Sequence, residues 1–354
     1  MHRFLISLII LFFGSTQSFG QEIPDSTGKK VRKVSVLPTP SITYSPETSF
    51  AFGAVALFTF NLYQDTTTRS SNSRLFFSYT LRRQAILEGS WNYFFKEEKW
   101  FSRGFIHYSK FVDNYYGLGQ NSASENEVVY ESNRFILDID GTKRIKNKLF
   151  LGIGFRYINY TNFIFLDPNS FVELFPSQTY GFKVTLINDH RNNILTPKEG
   201  HYEEVGLSFN RSSGSFVKLN LDARRYYTYK KNVFTARFFS TFNFGTAPFY
   251  DLALMGGDRF TRGYYFGRYR SNHMTLLQGE YRSPRWWRLG LAAFGGFSAV
   301  YSRIDYMKWS SFKPNIGAGL RILFDKKNNT SLRLDYAIGL DGQSGFYVSF
   351  GESF

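Results

Sequence analysis

The sequence predicts an all-β fold, a single antiparallel transmembrane barrel of about 16 strands, as alternating segments of this kind build in outer membranes. Three observations predict it. The 354 residues include 40 Phe and 24 Tyr, spread evenly and alternating with polar residues rather than gathered in core-like blocks. Run after run repeats with a period of two. The N-terminus carries an export signal.

Met1-His2-Arg3 is a short basic start, and Phe4 to Phe13 is apolar apart from Ser7. Ser18 and Gly20 put small residues just before a cut at Gln21. That is the layout of a secretory signal peptide over 1–20. The apolar stretch is too short for a spanning helix, which needs roughly 20 residues. No Cys follows it, so lipid anchoring is not expected. Residues 21–36 read as a short polar, basic periplasmic tether, and 37–354 as the barrel.

In the barrel, Leu75, Phe77, Tyr79 and Leu81 alternate with Arg74, Ser78, Thr80 and Arg82, and Val217, Leu219 and Leu221 alternate with Lys218, Asn220 and Asp222. Successive side chains of a strand point to opposite faces. One set therefore meets lipid and the other a wet or paired interior. The expected strands are 38–45, 50–63, 73–83, 84–95, 99–112, 130–143, 147–161, 178–189, 200–211, 215–229, 231–245, 272–283, 287–302, 311–324, 329–340 and 344–354. An even number returns both chain ends to the periplasmic side. The first strand reads as short, broken by Pro38, Pro40 and Pro46, which bring no ladder donors.

Periplasmic turns of such barrels are short and outer loops long. Lys96-Glu97-Glu98, Lys146-Asn147, Lys230-Lys231-Asn232, Ser283-Pro284 and Lys326-Lys327-Asn328 supply tight polar turns. The long connections 113–129, 162–177 and 246–271 then all fall on the outer side. The connection 64–72 is long for an inner turn. Phe346, Val348, Phe350 and Phe354 share one face of the last strand, so Phe350 and Phe354 form a lipid-facing aromatic terminus of the kind that barrel-assembly machinery reads.

The most specific stretch lies in the sixth outer connection. It runs Met255-Gly256-Gly257-Asp258-Arg259-Phe260-Thr261-Arg262-Gly263-Tyr264. With Gly256 and Gly257 before it, Arg262-Gly263-Tyr264 resembles the loop motif of the BamA/TamA superfamily, also called the bacterial surface antigen family. Asn188-Asp189-His190-Arg191 with Pro197 and Gly200 resembles that family's turn between strands 8 and 9. Gly279-Glu280-Tyr281-Arg282-Ser283-Pro284 resembles its twelfth strand. Gly317-Ala318-Gly319-Leu320-Arg321, Leu332-Arg333-Leu334-Asp335-Tyr336 and Phe350-Gly351 resemble its last three strands. The resemblance covers the barrel, best from about 180 onward, and implies an inward-folded sixth outer loop.

Two departures stand out. The family's assembly and secretion members carry periplasmic POTRA modules, and this chain reads as a barrel-only member with a short tether. The family's Asp on strand 13 is also replaced, since Phe294-Gly295-Gly296-Phe297-Ser298 puts Gly296 at its place. Arg262 in a lumen is costly unless paired. Glu280 shares its strand face with Met274, Leu276, Gln278 and Arg282, and so could supply the missing carboxylate. Alternatively, Glu280 pairs only with Arg282 or with Arg321. Gly263 would let the chain turn at the loop tip, and Tyr264 would pack on the inner wall.

Enzymatic readings find little support. The five His are His2, His107, His190, His201 and His273. His2 lies in the signal peptide, His190 and His201 flank the inner turn, away from outer lipids, and His107 and His273 lack a motif-like Ser or Asp context; no Gly-x-Ser-x-Gly, cofactor or metal-ligand pattern appears. The absence of Cys excludes disulfides and thiol chemistry. The formal charge of +15 is scattered, pointing to lipid headgroups and lipopolysaccharide phosphate rather than nucleic acid. The resemblance implies a bacterial outer-membrane protein of membrane biogenesis or of protein or lipid translocation. Its implied partners are barrel-assembly machinery, and either a separate periplasmic protein or a second copy of the chain; the receiving module is absent or comes from a partner. A passive channel or structural barrel is the alternative, though a loop across the lumen would obstruct flow.

Overall fold

The computed structural model describes residues 22–24, 30–32, 34–63, 68–166, 174–194, 196–325 and 330–354. The expected signal peptide, residues 21, 25–29 and 33 of the expected tether, and the turn 326–328 lie outside them. No described helix is long and apolar enough to cross a membrane; the crossing elements are strands.

Sixteen strands close into one antiparallel barrel. In chain order they are β1 (Val34–Ser45), β2 (Ser49–Phe60), β3 (Ser71–Thr80), β4 (Ala85–Phe94), β5 (Trp100–Tyr115), β6 (Val128–Lys146), β7 (Leu149–Phe165) and β8 (Ser177–Asp189). The second half comprises β9 (Gly200–Arg211), β10 (Ser215–Tyr229), β11 (Asn232–Gly245), β12 (His273–Arg282), β13 (Leu289–Tyr301), β14 (Lys313–Asp325), β15 (Thr330–Ile338) and β16 (Ser344–Phe350). Period-two burial matches the sequence. Leu75, Phe77 and Tyr79 are about half exposed, while Ser78 and Thr80 are enclosed.

Lys230 and Lys231 both take positive φ, the mirror-image turn whose twist suits a two-residue hairpin. The connections 116–127, 166–176, 246–272 and 302–312 all fall at the opposite end. The long 61–70 connection has a structural use at the short-turn end. Its Arg69 sits between Glu98 Oε1 and Asp189 Oδ2, each 2.9 Å away, and covers the Phe94 ring. It helps close the floor over Phe94, Phe101, Phe150, Ile187 and Tyr202.

Two expectations at the chain's ends are corrected. β1 begins at Val34 and is twelve residues long, not a short strand from 38. Pro38 and Pro40 are carried inside it on the exposed face, while β1 keeps an unbroken ladder with β2 from Val34↔Phe60 to Ser45↔Ser49. At the other end β16 stops at Phe350, and Gly351 turns the backbone with φ +83°. Phe354 is therefore 5% exposed instead of facing lipid. Its carbonyl accepts from Arg282 Nη2 at 3.0 Å.

The ladder is uneven at closure. β15 and β16 share seven partner pairs, and β1 and β2 share twelve. β16 and β1 share one, Val348↔Tyr44, supported by Tyr44 and Phe346 rings 5.8 Å apart.

Candidate functional site

The connection from β11 to β12 builds the site. Ala253–Met255 pairs with Tyr269–Ser271 in a short ladder of its own. Met255 and Tyr264, both fully buried, pack with Met274 and Leu276 of β12 and Val300 of β13. Gly256 takes φ +107°, and a Cβ there would lie 2.0 Å from the Tyr265 carbonyl oxygen. Gly263, at φ +100°, leaves no room for a Cβ against Ile338 and Gly339 of the wall. Gly257 takes φ +80° and donates its N–H to Tyr264 O at 2.8 Å. These glycines let the chain bend back on itself within ten residues.

That bend delivers Arg262, 1% exposed, to two carboxylates. Its Nη2 donates to Glu280 Oε2 at 2.6 Å, and its Nη1 to Asp335 Oδ2 at 2.5 Å. Its guanidinium carbon lies 3.3 Å from the centre of the Phe294 ring. Gly296 could not bear the carboxylate expected by resemblance. A Cβ there would approach Leu277 O to 2.4 Å. So β13 contributes an aromatic face, and the acids come from β12 and β15.

Glu280 does not choose among its candidates. It accepts from Arg262, from Arg282 Nε at 2.7 Å and from Arg321 Nη2 at 3.3 Å. Arg321 also reaches Asp335 Oδ1 at 2.6 Å and Glu352 Oε2 at 2.9 Å. Arg333 bridges Asp335 at 3.0 Å and Asp258 at 2.5 Å. The cluster thus sets Arg262, Arg282, Arg321 and Arg333 against Glu280, Asp335, Asp258 and Glu352, in balance. Buried charges demand such pairing, because removing one partner strands the other. In the sequence Asp335 belongs to a stretch that resembles the family's last strands, and no role attaches to it. Only the ring closure that brings β12 and β15 around one loop tip reveals it.

The remaining predicted residues lie in three separate places. Tyr264 donates its hydroxyl to Pro314 O and accepts from Leu340 N–H, both at 2.8 Å. Asp189 binds Arg191 through Nε at 2.9 Å, and Gly200, at φ +96°, would press a Cβ within 2.1 Å of His190 O. This turn touches the cluster where Pro197 O accepts from Arg282 Nη1 at 3.2 Å. Phe350 ends the β15–β16 ladder opposite Leu332.

The same connection reaches both sides of the closure. On the β16 side, Gly263 N–H donates to Tyr347 Oη at 3.0 Å, and Ser353 Oγ donates to Asp258 O at 2.9 Å. On the β1–β2 side, Phe266 N–H donates to Glu47 Oε1 at 2.6 Å. Glu47 sits in the β1–β2 turn and is 7% exposed. Nothing in its sequence context marks it. Burial pushes its carboxyl above the usual range, against the opposing hydrogen bonds from Ser45 and Phe266.

His107 needs a correction. Its Nδ1 lies 3.1 Å from Glu88 Oε1 and its Nε2 2.8 Å from Ser109 Oγ, a Ser–His–carboxylate line that period-two reading overlooked. Ser109 is fully enclosed. The line joins β4 to β5.

Three outcomes are expected. Arg262→Ala should loosen the connection without unfolding the barrel, whose ladder it leaves intact. Arg262→Ala with Glu280→Ala should fall short of the summed single effects by about 0.5–3 kcal/mol, read as protease sensitivity of the connection. Strict additivity would exclude the pairing. For Glu47, a carboxyl raised in the folded state stabilises it fully below its unfolded pKa. That contribution is lost as pH rises through the raised value. Glu47→Gln keeps an acceptor for Phe266, so protection of the connection should become independent of pH across that interval. An unchanged pH profile would contradict it.

An Omp85 superfamily domain model matches residues 56–354. Among solved structures, BamA from Haemophilus ducreyi lacking POTRA domains 1–3 superposes with a TM-score of 0.58 at 12% identity, covering 99% of this chain and 78% of that one. CdiB from Acinetobacter baumannii gives 0.58 at 12% identity, covering 94% and 65%. No curated protein matches the sequence. The chain belongs to the Omp85 superfamily of outer-membrane β-barrels.

Proposed function

We propose that this barrel acts in outer-membrane biogenesis or in translocation of protein or lipid, by parting between β1 and β16. The 246–272 connection, folded into the lumen, governs that parting. Phe350 and Phe354 serve assembly of the barrel itself by the cell's assembly machinery, and a periplasmic protein or a second copy delivers the cargo.

One observation carries the reading: a single partner pair joins β16 to β1 where neighbouring interfaces have seven and twelve. In lipid, every unpaired backbone group is costly. A barrel therefore opens where there are fewest pairs to break, and an edge exposed there can template an incoming strand. The resemblance to the BamA/TamA group supports the same reading. A freely open channel is disfavoured by the packing of Met255, Tyr264 and Arg262 against inner-face side chains.

The chain has no Cys, so a cross-link can be placed cleanly. Directly opposed residues have Cβ atoms about 4.5–5.5 Å apart, close to what a disulfide spans. Tyr44→Cys with Val348→Cys, when oxidised, should slow insertion of a small outer-membrane barrel into vesicles carrying this protein by about tenfold or more. Reductant should restore the rate. Leu137→Cys with Tyr157→Cys, on the paired β6–β7 ladder, should change nothing. An oxidised seam as active as the reduced one would refute the parting mechanism.

A further inference from the structure

A cleft of about 440 Å³ opens at the long-connection end, within the ~300–1,000 Å³ typical of small-molecule sites. One wall is the 116–127 connection, with Tyr116, Gln120, Asn121 and Asn126. The other holds Tyr301 and Tyr306, with the hydroxyls of Ser271 and Ser302. No charged side chain lines it, in a chain with 43 Lys and Arg and 28 Asp and Glu.

The first wall is fixed from behind. Arg268, 3% exposed, donates through Nη2 to Ser122 O and Ser124 Oγ, both at 3.0 Å, and covers the Tyr116 ring at 4.5 Å. Gly119 N–H donates to Arg270 O at 2.8 Å. Such prior ordering reduces the entropy a ligand must overcome. Gln120 Oε1 is shielded from solvent and has no hydrogen-bond partner among the described residues. An acceptor left so is costly until a donor arrives. Tyr306 leaves half of its surface open.

We propose that this cleft binds a neutral saccharide. A sugar offers hydroxyls that both donate and accept, which planar amides and hydroxyls match in kind. It also offers a C–H face that lies on an aromatic ring, as Tyr306 presents. A phosphate or carboxylate ligand would call for the cations that are missing. An extended peptide would be read through main-chain pairing or apolar pockets. The sugar could belong to an outer-leaflet glycolipid or to a free polysaccharide, which share this chemistry.

Saturation-transfer NMR on the intact protein in detergent micelles tests it. One probe is the dephosphorylated oligosaccharide of the host's own outer-membrane glycolipid. The other is a set of neutral trisaccharides comprising maltotriose, cellotriose and chitotriose. Transfer from the first alone identifies the glycolipid source, and transfer from the second identifies a free saccharide. Gln120→Ala and Tyr306→Ala should each weaken binding about tenfold, with the folded barrel's heat-modifiable gel mobility unchanged. Affinity should change little between low and high salt, because no charged side chain lines the cleft and Arg303 meets only the Tyr306 ring. Transfer from neither probe, binding indifferent to both substitutions, binding that weakens with salt, or tighter binding of a neutral tetrapeptide would each overturn the proposal.

Discussion

The barrel closes through one pair of opposed residues, Val348 and Tyr44, and much of the structure answers that constraint. Elsewhere each pair of neighbouring strands shares seven or more partner pairs. At the closure the backbone contributes little, so stability there falls to side chains and to the connection that lies against both edges. Tyr347 holds that connection from β16 and Glu47 from the β1–β2 turn. Met255 and Tyr264 seat it on β12 and β13. The seam is thus joined from within, by contacts that can be made or broken without disturbing the other ladders.

The charge cluster beneath the loop tip makes that joining specific. Four guanidiniums and four carboxylates in low-dielectric surroundings favour one arrangement, because any displacement leaves an unpaired charge. Hydrophobic packing alone would let the loop slide, since it is non-directional. Arg262, set between Glu280 and Asp335 over Phe294, fixes the register of the loop against strands from β12 to β15. Arg282 extends the same network to Pro197 in the β8–β9 turn and to the last residues of the chain. Both ends of the barrel are therefore coupled to one buried cluster.

Much of this was legible in the sequence. Strand number and position follow from period two, which carries the face of every side chain with it. The loop motif and the Glu280 partner followed from resemblance plus the cost of a lone buried Arg. What was not legible depends on closure in space. Asp335 reads as one more inner-face acid until β15 is brought around to the loop. Glu47 lies in an ordinary turn, more than two hundred residues from Phe266. The inward turn of Phe354 is set by Gly351 and Arg282, and alternation extrapolated past the end of a strand could not give it. His107, Glu88 and Ser109 meet because two neighbouring strands share a register that no motif records.

The connection, and not the ladder, holds β16 to β1. Amide hydrogen exchange resolved along β1 and β16 measures this directly, compared between the native chain and Glu47→Ala. Amides of β1 and β16 should exchange faster than those of β6 and β7 in the native chain. Glu47→Ala should speed exchange in the first pair further while leaving the second unchanged. Uniform protection around the barrel, or a seam indifferent to Glu47→Ala, would contradict it.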